Sequence, residues 1–242
     1  MRQRELIAES TTPDGESLTL TLEGGEHVVR VRGETLMTAR MSGSEQAMAT
    51  LASQAGKLGE AARVLVGGLG MGFTLRAVLD QAAASAKVEV IELLPDVVAW
   101  NRGPLASLAQ HPLDDPRADV RMGDLVDYLA ESESGFDAIL LDIDNGPEAF
   151  TVRGNDRLYQ HAGLALLRRA LRDGGVFVLW SAFRSPAFER RLRRAGFDVR
   201  TETARARAGK GARHTLFFAI RTDRAPVVGG AHHLKARQRR TR

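Results

Sequence analysis

The chain has 242 residues, 34 lysines and arginines against 30 aspartates and glutamates, and no cysteine. That length holds one large domain, or a large one with a small appendage, and can bury a sizeable core; the missing cysteine excludes disulfides, thiolate nucleophiles and cysteine metal sites. No run approaches the roughly 18 apolar residues of a membrane helix, and the start MRQRELIAES lacks the apolar centre of a signal peptide, so a cytoplasmic protein with no membrane partner is expected.

The net charge of +4 is uneven, because Lys235, Arg237, Arg239, Arg240 and Arg242 carry five charges in the last eight residues and leave −1 on residues 1–234. A basic tail this short reads as a solvated end, so nucleic acid is not an expected partner.

In chain order, Leu18, Leu20 and Leu22 alternate along a strand, Gly24 and Gly25 make a turn, and Val29 and Val31 continue the returning strand. Gly33 turns the chain again before Thr35 to Ala39, which completes a small antiparallel β unit. Met41 to Leu58 reads as a helix with Ser42 or Ser44 as its cap. Arg63 to Val66 is a short buried strand that stops at Gly68, Gly70 and Gly72, and Phe73 to Ala84 has helical spacing. Lys87 to Ile91 is a second strand with Glu92 at its carboxyl end, so the stretch is the first β-α-β of an open α/β sheet.

A dinucleotide fold needs a third glycine at position 73, where this chain has Phe73. The G-x-G-x-G spacing instead suits an adenosylmethionine-type cofactor, and Glu92 is placed to accept from ribose hydroxyls under either reading. The alternative is a glycine-rich turn with no ligand.

Further on, Leu94 to Ala109 reads as a helix broken at Gly103 and Pro104, and Ala118 to Arg121 as a third strand ending at Gly123 and Asp124. Asp127 to Glu131 is a short helix, and Phe136 to Leu141 a very apolar strand ending in Asp142, Ile143, Asp144, Asn145, Gly146 and Pro147. Acids after the carboxyl end of a buried strand stand where open α/β sheets place their chemistry. Asn155 to Leu171 is a helix closed by Asp173, Gly174 and Gly175. Val176 to Trp180 is a strand, Pro186 to Ala195 a helix, and Phe197 to Glu202 pairs with Thr215 to Ile220 across a Gly/Arg-rich loop at 204–213. The expected fold is an α/β sandwich with a seven-stranded, mostly parallel sheet and a terminal antiparallel hairpin. Residues 1–40 form the β unit, 41–222 the catalytic domain and 223–242 the tail.

With Gly68 to Gly72, Glu92, Gly123 with Asp124, and Asp142 to Pro147 in view, the chain resembles the polyamine aminopropyltransferases, the spermidine synthase-like members of the class I adenosylmethionine-dependent methyltransferase fold, which is Rossmann-like. Further matches are Asp115-Pro116-Arg117, Leu158-Tyr159 and Arg172-Asp173-Gly174-Gly175-Val176, and the likeness spans about residues 17–220. The resemblance implies that Gly68, Gly70 and Gly72 hold the methionine-like part of the cofactor, Glu92 its ribose and Asp124 its adenine amino group. Asp142 would be the catalytic aspartate, and the protein a homodimer. Chemistry agrees on Asp142: an ammonium of pKa near 10 has no lone pair, and a nearby carboxylate can orient the amine and take the proton it sheds. No metal is required.

Two departures bear on substrate. The family's glycine loop carries an aspartate before its last glycine pair, facing the ammonium of decarboxylated adenosylmethionine, and this chain has Met71 there. The tyrosine and histidine of the helix before the loop are absent, with Ser44-Glu45-Gln46-Ala47-Met48 in their place; Glu45, Asp142, Asp144 and Glu148 could meet a cationic acceptor, and Tyr159 is a further candidate contact. Trp180 is read as core with a pocket edge, and His161 and His214 as structural.

The expected function is therefore transfer of an alkyl group from an S-adenosylmethionine-type cofactor to a small-molecule amine, leaning to methyl transfer from intact S-adenosylmethionine. Aminopropyl transfer from decarboxylated S-adenosylmethionine and a non-catalytic cofactor-binding scaffold are the alternatives.

Overall fold

Val64, Leu65 and Val66 are all completely buried, which requires cover on both faces of the strand that carries them. In the computed structural model, which describes residues 4–12, 15–39, 43–132, 135–143, 156–207 and 210–223, both layers are present. The chain opens with an antiparallel sheet of β1 (Arg4–Thr11), β2 (Ser17–Glu23), β3 (Glu26–Val31) and β4 (Glu34–Thr38), paired in that order. Sequence pattern begins this unit at residue 17. Strand β1 escapes it because an edge strand buries little and its residues show no clean alternation.

The larger sheet contains β5 (Arg63–Gly67), β6 (Lys87–Glu92), β7 (Ala118–Met122), β8 (Phe136–Leu141), β9 (Leu171–Ser181), β10 (Phe197–Arg207) and β11 (Lys210–Arg221). Its spatial order is β10-β11-β9-β8-β5-β6-β7, with β11 antiparallel to both neighbours and the other pairs parallel. The helices are α1 (Gly43–Gln54), α2 (Phe73–Gln81), α3 (Pro95–Arg102), α4 (Leu125–Glu131), α5 (Asp156–Tyr159), α6 (His161–Ala170) and α7 (Pro186–Arg194).

Alternate strand residues feed opposite layers. Val64, Val66, Val88, Val90 and Leu140 pack with Met48 of α1, Leu75 of α2 and Val97 of α3, and Leu18, Leu20 and Val29 of the small sheet join the same core. Leu65, Ile139, Leu141 and Phe177 face Leu129, Leu164, Leu167 and Phe188 of α4, α6 and α7. Each such leucine or phenylalanine contributes about 1.5–3 kcal/mol relative to exposure. No helix among the described residues is long and apolar enough to cross a membrane.

Three boundaries differ from expectation. The helix expected over 155–171 is two helices, because at Gly163 even a Cβ would stand 2.4 Å from the Leu158 carbonyl oxygen, so the chain folds too tightly there for one continuous rod. Asp173-Gly174-Gly175, expected to close that helix, lies inside β9, which starts at Leu171 and loses register against β8 between Phe136 and Ala138. The loop expected at 204–213 is mostly the arms of a hairpin, for β10 and β11 stay paired out to Arg207 and Lys210.

Connections leave β5 toward β6 and β7, then return across it to β8. The carboxyl ends of β5 and β8 are therefore the switch point at which such sheets leave a crevice.

Candidate active site

At that switch point the three glycines expected to form one cradle do three different things. Gly68 has φ +79°, and a Cβ on it would come within 2.8 Å of Ile143 Cγ2 and 3.0 Å of the Asp142 carbonyl oxygen. Its freedom serves the close passage of two strand ends, which the Asp142 amide secures by donating to the Gly67 carbonyl at 3.1 Å. Gly72, at φ +82°, precedes α2, and a Cβ there would meet Asn101 Oδ1 at 2.9 Å. Gly70, at φ +54°, is the open position: among the described residues only Met37 Sδ, from β4, lies within 4 Å, at 3.7 Å.

Met71 is 4 % exposed and belongs to the core.

Glu92 ends β6 and is 7 % exposed. The Leu69 amide donates to its Oε2 and the Leu94 amide to its Oε1, both at 2.9 Å. Burial pushes the Glu92 carboxyl above its ordinary range and these amides pull it back. The Leu93 and Gly70 amides add to that pull, so the carboxylate ends β6 inside a cluster of backbone donors drawn from the glycine loop and the start of the next segment.

Asp124 caps α4, its Oδ1 accepting from the Val126 amide at 2.7 Å and the Asp127 amide at 3.2 Å. Beside these two acids Leu93 is 41 % and Met122 48 % exposed, apolar side chains at neighbouring strand ends that suit the face of a flat base. Periodicity could not reveal them, since each reads simply as a strand-end hydrophobe. Asn101 also escaped notice. From α3 its Nδ2 donates to the Gly70 carbonyl at 2.8 Å and to the Val97 carbonyl at 2.9 Å, pinning the loop.

On the other side of the loop stand two acids. Asp142 accepts from Thr74 Oγ1 at 3.0 Å, and Glu45, in the first turn of α1, accepts from Ser44 Oγ at 2.8 Å. Ser44 thus lies inside the helix and serves Glu45; it is not the end cap expected of it. Burial first, and the nearby Asp142 charge second, push the Glu45 carboxyl up to about 8. Burial likewise raises Asp142, with the Thr74 hydroxyl opposing. Such a pair titrates as a unit, holding a proton near neutrality that an arriving cation would displace.

The remaining candidates separate. Tyr159 is 2 % exposed and its ring packs edge-on to Phe188 at 5.8 Å in the second core. Asp144 and Glu148 lie outside the described residues. His161 is exposed at the start of α6, and Trp180 and His214 meet at the end of β9, 4.7 Å between ring centroids. Among the described residues no group of three or more His, Asp or Glu could hold a metal.

Comparison with known proteins meets this geometry. The sequence model described as Spermine/spermidine synthase domain matches residues 44–194, more than half of the chain. The polyamine aminopropyltransferase of Aeropyrum pernix is 33 % identical over 121 residues, covering 50 % of this chain and 37 % of that protein. The polyamine aminopropyltransferase of Mycobacterium tuberculosis is 37 % identical over 145 residues, covering 56 % of this chain and 27 % of that protein. The matches thus span well under half the length of these curated relatives. Among solved structures, spermidine synthase in complex with the transition state analogue AdoDATO superposes with a TM-score of 0.70 at 20 % identity, covering 89 % of this chain and 72 % of that one. Spermidine synthase from Thermotoga maritima gives 0.71 at the same identity and coverage. At that identity the structures speak for the fold, and the match along residues 44–194 speaks for descent: the chain belongs to the spermine/spermidine synthase family.

Proposed function

We propose that this chain transfers an aminopropyl group from decarboxylated S-adenosylmethionine to a small-molecule amine, with Gly70, Glu92, Asp124, Leu93 and Met122 on the cofactor side. The observation that carries the reading is the half-buried pair of Glu45 and Asp142 beside the glycine loop, whose proton a cationic acceptor would expel. The names of the relatives support the same choice over methyl transfer from intact S-adenosylmethionine.

When bound, the cofactor would supply a sulfonium that leaves as a neutral thioether. The chain's own share is to present the amine. An ammonium must lose a proton before its nitrogen can attack, and a carboxylate at hydrogen-bonding reach accepts it. Asp142 fills that place, held by Thr74 and the backbone of Gly67 at the end of a rigid strand. Glu45 would keep the second charge of a diamine, or the remainder of a longer one, paired. Holding nucleophile and electrophile in line is worth up to roughly 7–11 kcal/mol.

The test is turnover with either cofactor and 1,4-diaminobutane, followed by mass spectrometry. Aminopropylated product from the decarboxylated cofactor is expected, and Asp142→Asn should lower kcat by about 10²–10⁴ while leaving cofactor affinity within a few-fold. Product from intact S-adenosylmethionine alone would replace this reading with methyl transfer. Calorimetric binding without turnover of any amine would leave a cofactor-binding scaffold.

A further inference from the structure

His214, on β11, is buried at 7 % exposure and takes no part in the chemistry above. Its Nδ1 lies 3.2 Å from Trp180 Nε1 and 3.3 Å from Ser44 Oγ. An indole nitrogen can only donate, so Nδ1 must present its lone pair and the ring proton sits on Nε2. Burial favours the same neutral imidazole by pushing the His214 pKa down.

Trp180 therefore occupies the one lone pair of Nδ1. With that acceptor taken, the Ser44 hydroxyl proton is directed to its other neighbour, Glu45 Oε2, at 2.8 Å. Ser44 is 1 % exposed, so no water competes for the hydroxyl. A line of contacts consequently runs from Trp180 on β9 and His214 on β11, through the first turn of α1, to a carboxylate that feels Asp142, the residue that follows β8.

We propose that His214 is a positioning residue for the acceptor amine, acting through Ser44 to hold the Glu45 carboxylate beside Asp142. A histidine packed against a tryptophan could serve the core alone, but a core role would not require its Nδ1 to stand 3.3 Å from the hydroxyl that grips Glu45. The antiparallel hairpin thereby contributes to a site otherwise built on the parallel strands. This inference rests on the proposed function and deepens it by naming what orients the acceptor end.

The test uses the full chain with His214→Phe, His214→Asn, Ser44→Ala and the double variant His214→Phe with Ser44→Ala. Asparagine places its Oδ1 near the position of the histidine Nδ1 and keeps an acceptor for Trp180 beside the Ser44 hydroxyl. The readouts are calorimetric titration with 1,4-diaminobutane, titration with decarboxylated S-adenosylmethionine, and separate kcat and KM. His214→Phe should weaken diamine binding and raise its KM about tenfold, with cofactor affinity and kcat within about twofold. His214→Asn should restore the diamine affinity, and the double variant should be no worse than either single change, because the two residues act in series.

Wild-type diamine affinity in His214→Phe, equal loss in the Asn and Phe variants, or additive losses in the double variant would each overturn the positioning role while leaving the proposed function standing. If the unaltered chain neither binds nor turns over any amine, the proposed function falls and the inference with it.

Discussion

Glu45 and Asp142 sit where two helices begin, Glu45 in the first turn of α1 and Asp142 bonded to Thr74 in the first turn of α2. A helix N-terminus favours a carboxylate by about 0.3–1 kcal/mol when exposed and up to ~2 kcal/mol when partly buried. Burial wins here, since both carboxyls are displaced toward the acid form and Glu45 reaches about 8. The sign for stability follows. The folded carboxyl holds its proton more tightly than the unfolded one, whose ordinary value is 4.5, so its contribution is complete below that pH and is lost as pH rises toward about 8. Glu45→Gln removes this titration. Urea unfolding of the ligand-free protein should show the wild type losing stability between pH 5 and 8.5 and the variant losing markedly less. Parallel pH profiles would mean that Glu45 is already ionised, and the paired-acid description would fail. Adding a diamine should reverse the wild-type loss, because the ligand takes the place of the proton.

At the scale of elements, the loop between β5 and α2 shows what glycine spacing can and cannot tell. Three glycines at alternate positions correctly announce a turn with left-handed residues between a buried strand and a helix. Spacing does not say what approaches each one. At Gly68 it is the protein's own Asp142 and Ile143; at Gly70 it is, among the described residues, open space beside Met37. Gly68→Ala should therefore destabilise the fold severely, by more than about 2 kcal/mol, through overpacking and left-handed strain together. Gly70→Ala should cost about 1–2 kcal/mol from strain alone, yet weaken cofactor binding more than its stability loss explains. Chemical denaturation and calorimetry on the pair test the ranking, and the reverse order would put the ligand at Gly68.

The same limit applies elsewhere. The strands with β-branched or leucine-rich runs and the strand-end acids Glu92 and Asp142 were legible, because burial and the switch-point rule act on local pattern. Asn101, Leu93, Met122 and the Ser44–His214 contact were not, because each depends on which distant element packs alongside.

Over the whole molecule, charge is divided along the chain. Residues 1–183 hold 17 basic and 26 acidic side chains, a net of −9, whereas residues 184–242 hold 17 basic and 4 acidic, a net of +13. Helix α7 and strands β10 and β11 place much of the positive part at one edge of the large sheet, where Arg205 faces Arg213 across the hairpin. The acid pair belongs to the negative part. A diamine of two positive charges should be drawn to that part from beyond contact distance, since several kT of potential persist over roughly a Debye length, about 10 Å at 0.1 M salt. Screening should then act on encounter and leave the bound chemistry alone. Raising sodium chloride from about 20 mM to about 500 mM should lower kcat/KM for 1,4-diaminobutane several-fold with kcat nearly constant, because buried pairs are screened much less than exposed ones. A neutral-edge variant with Arg205 and Arg213 changed to Gln should keep or raise kcat/KM at low salt, as a repulsive field is removed. If instead that variant loses kcat/KM and salt leaves the wild type untouched, the basic edge is recruiting the acceptor, and an amine bearing an anionic group becomes the substrate class to test.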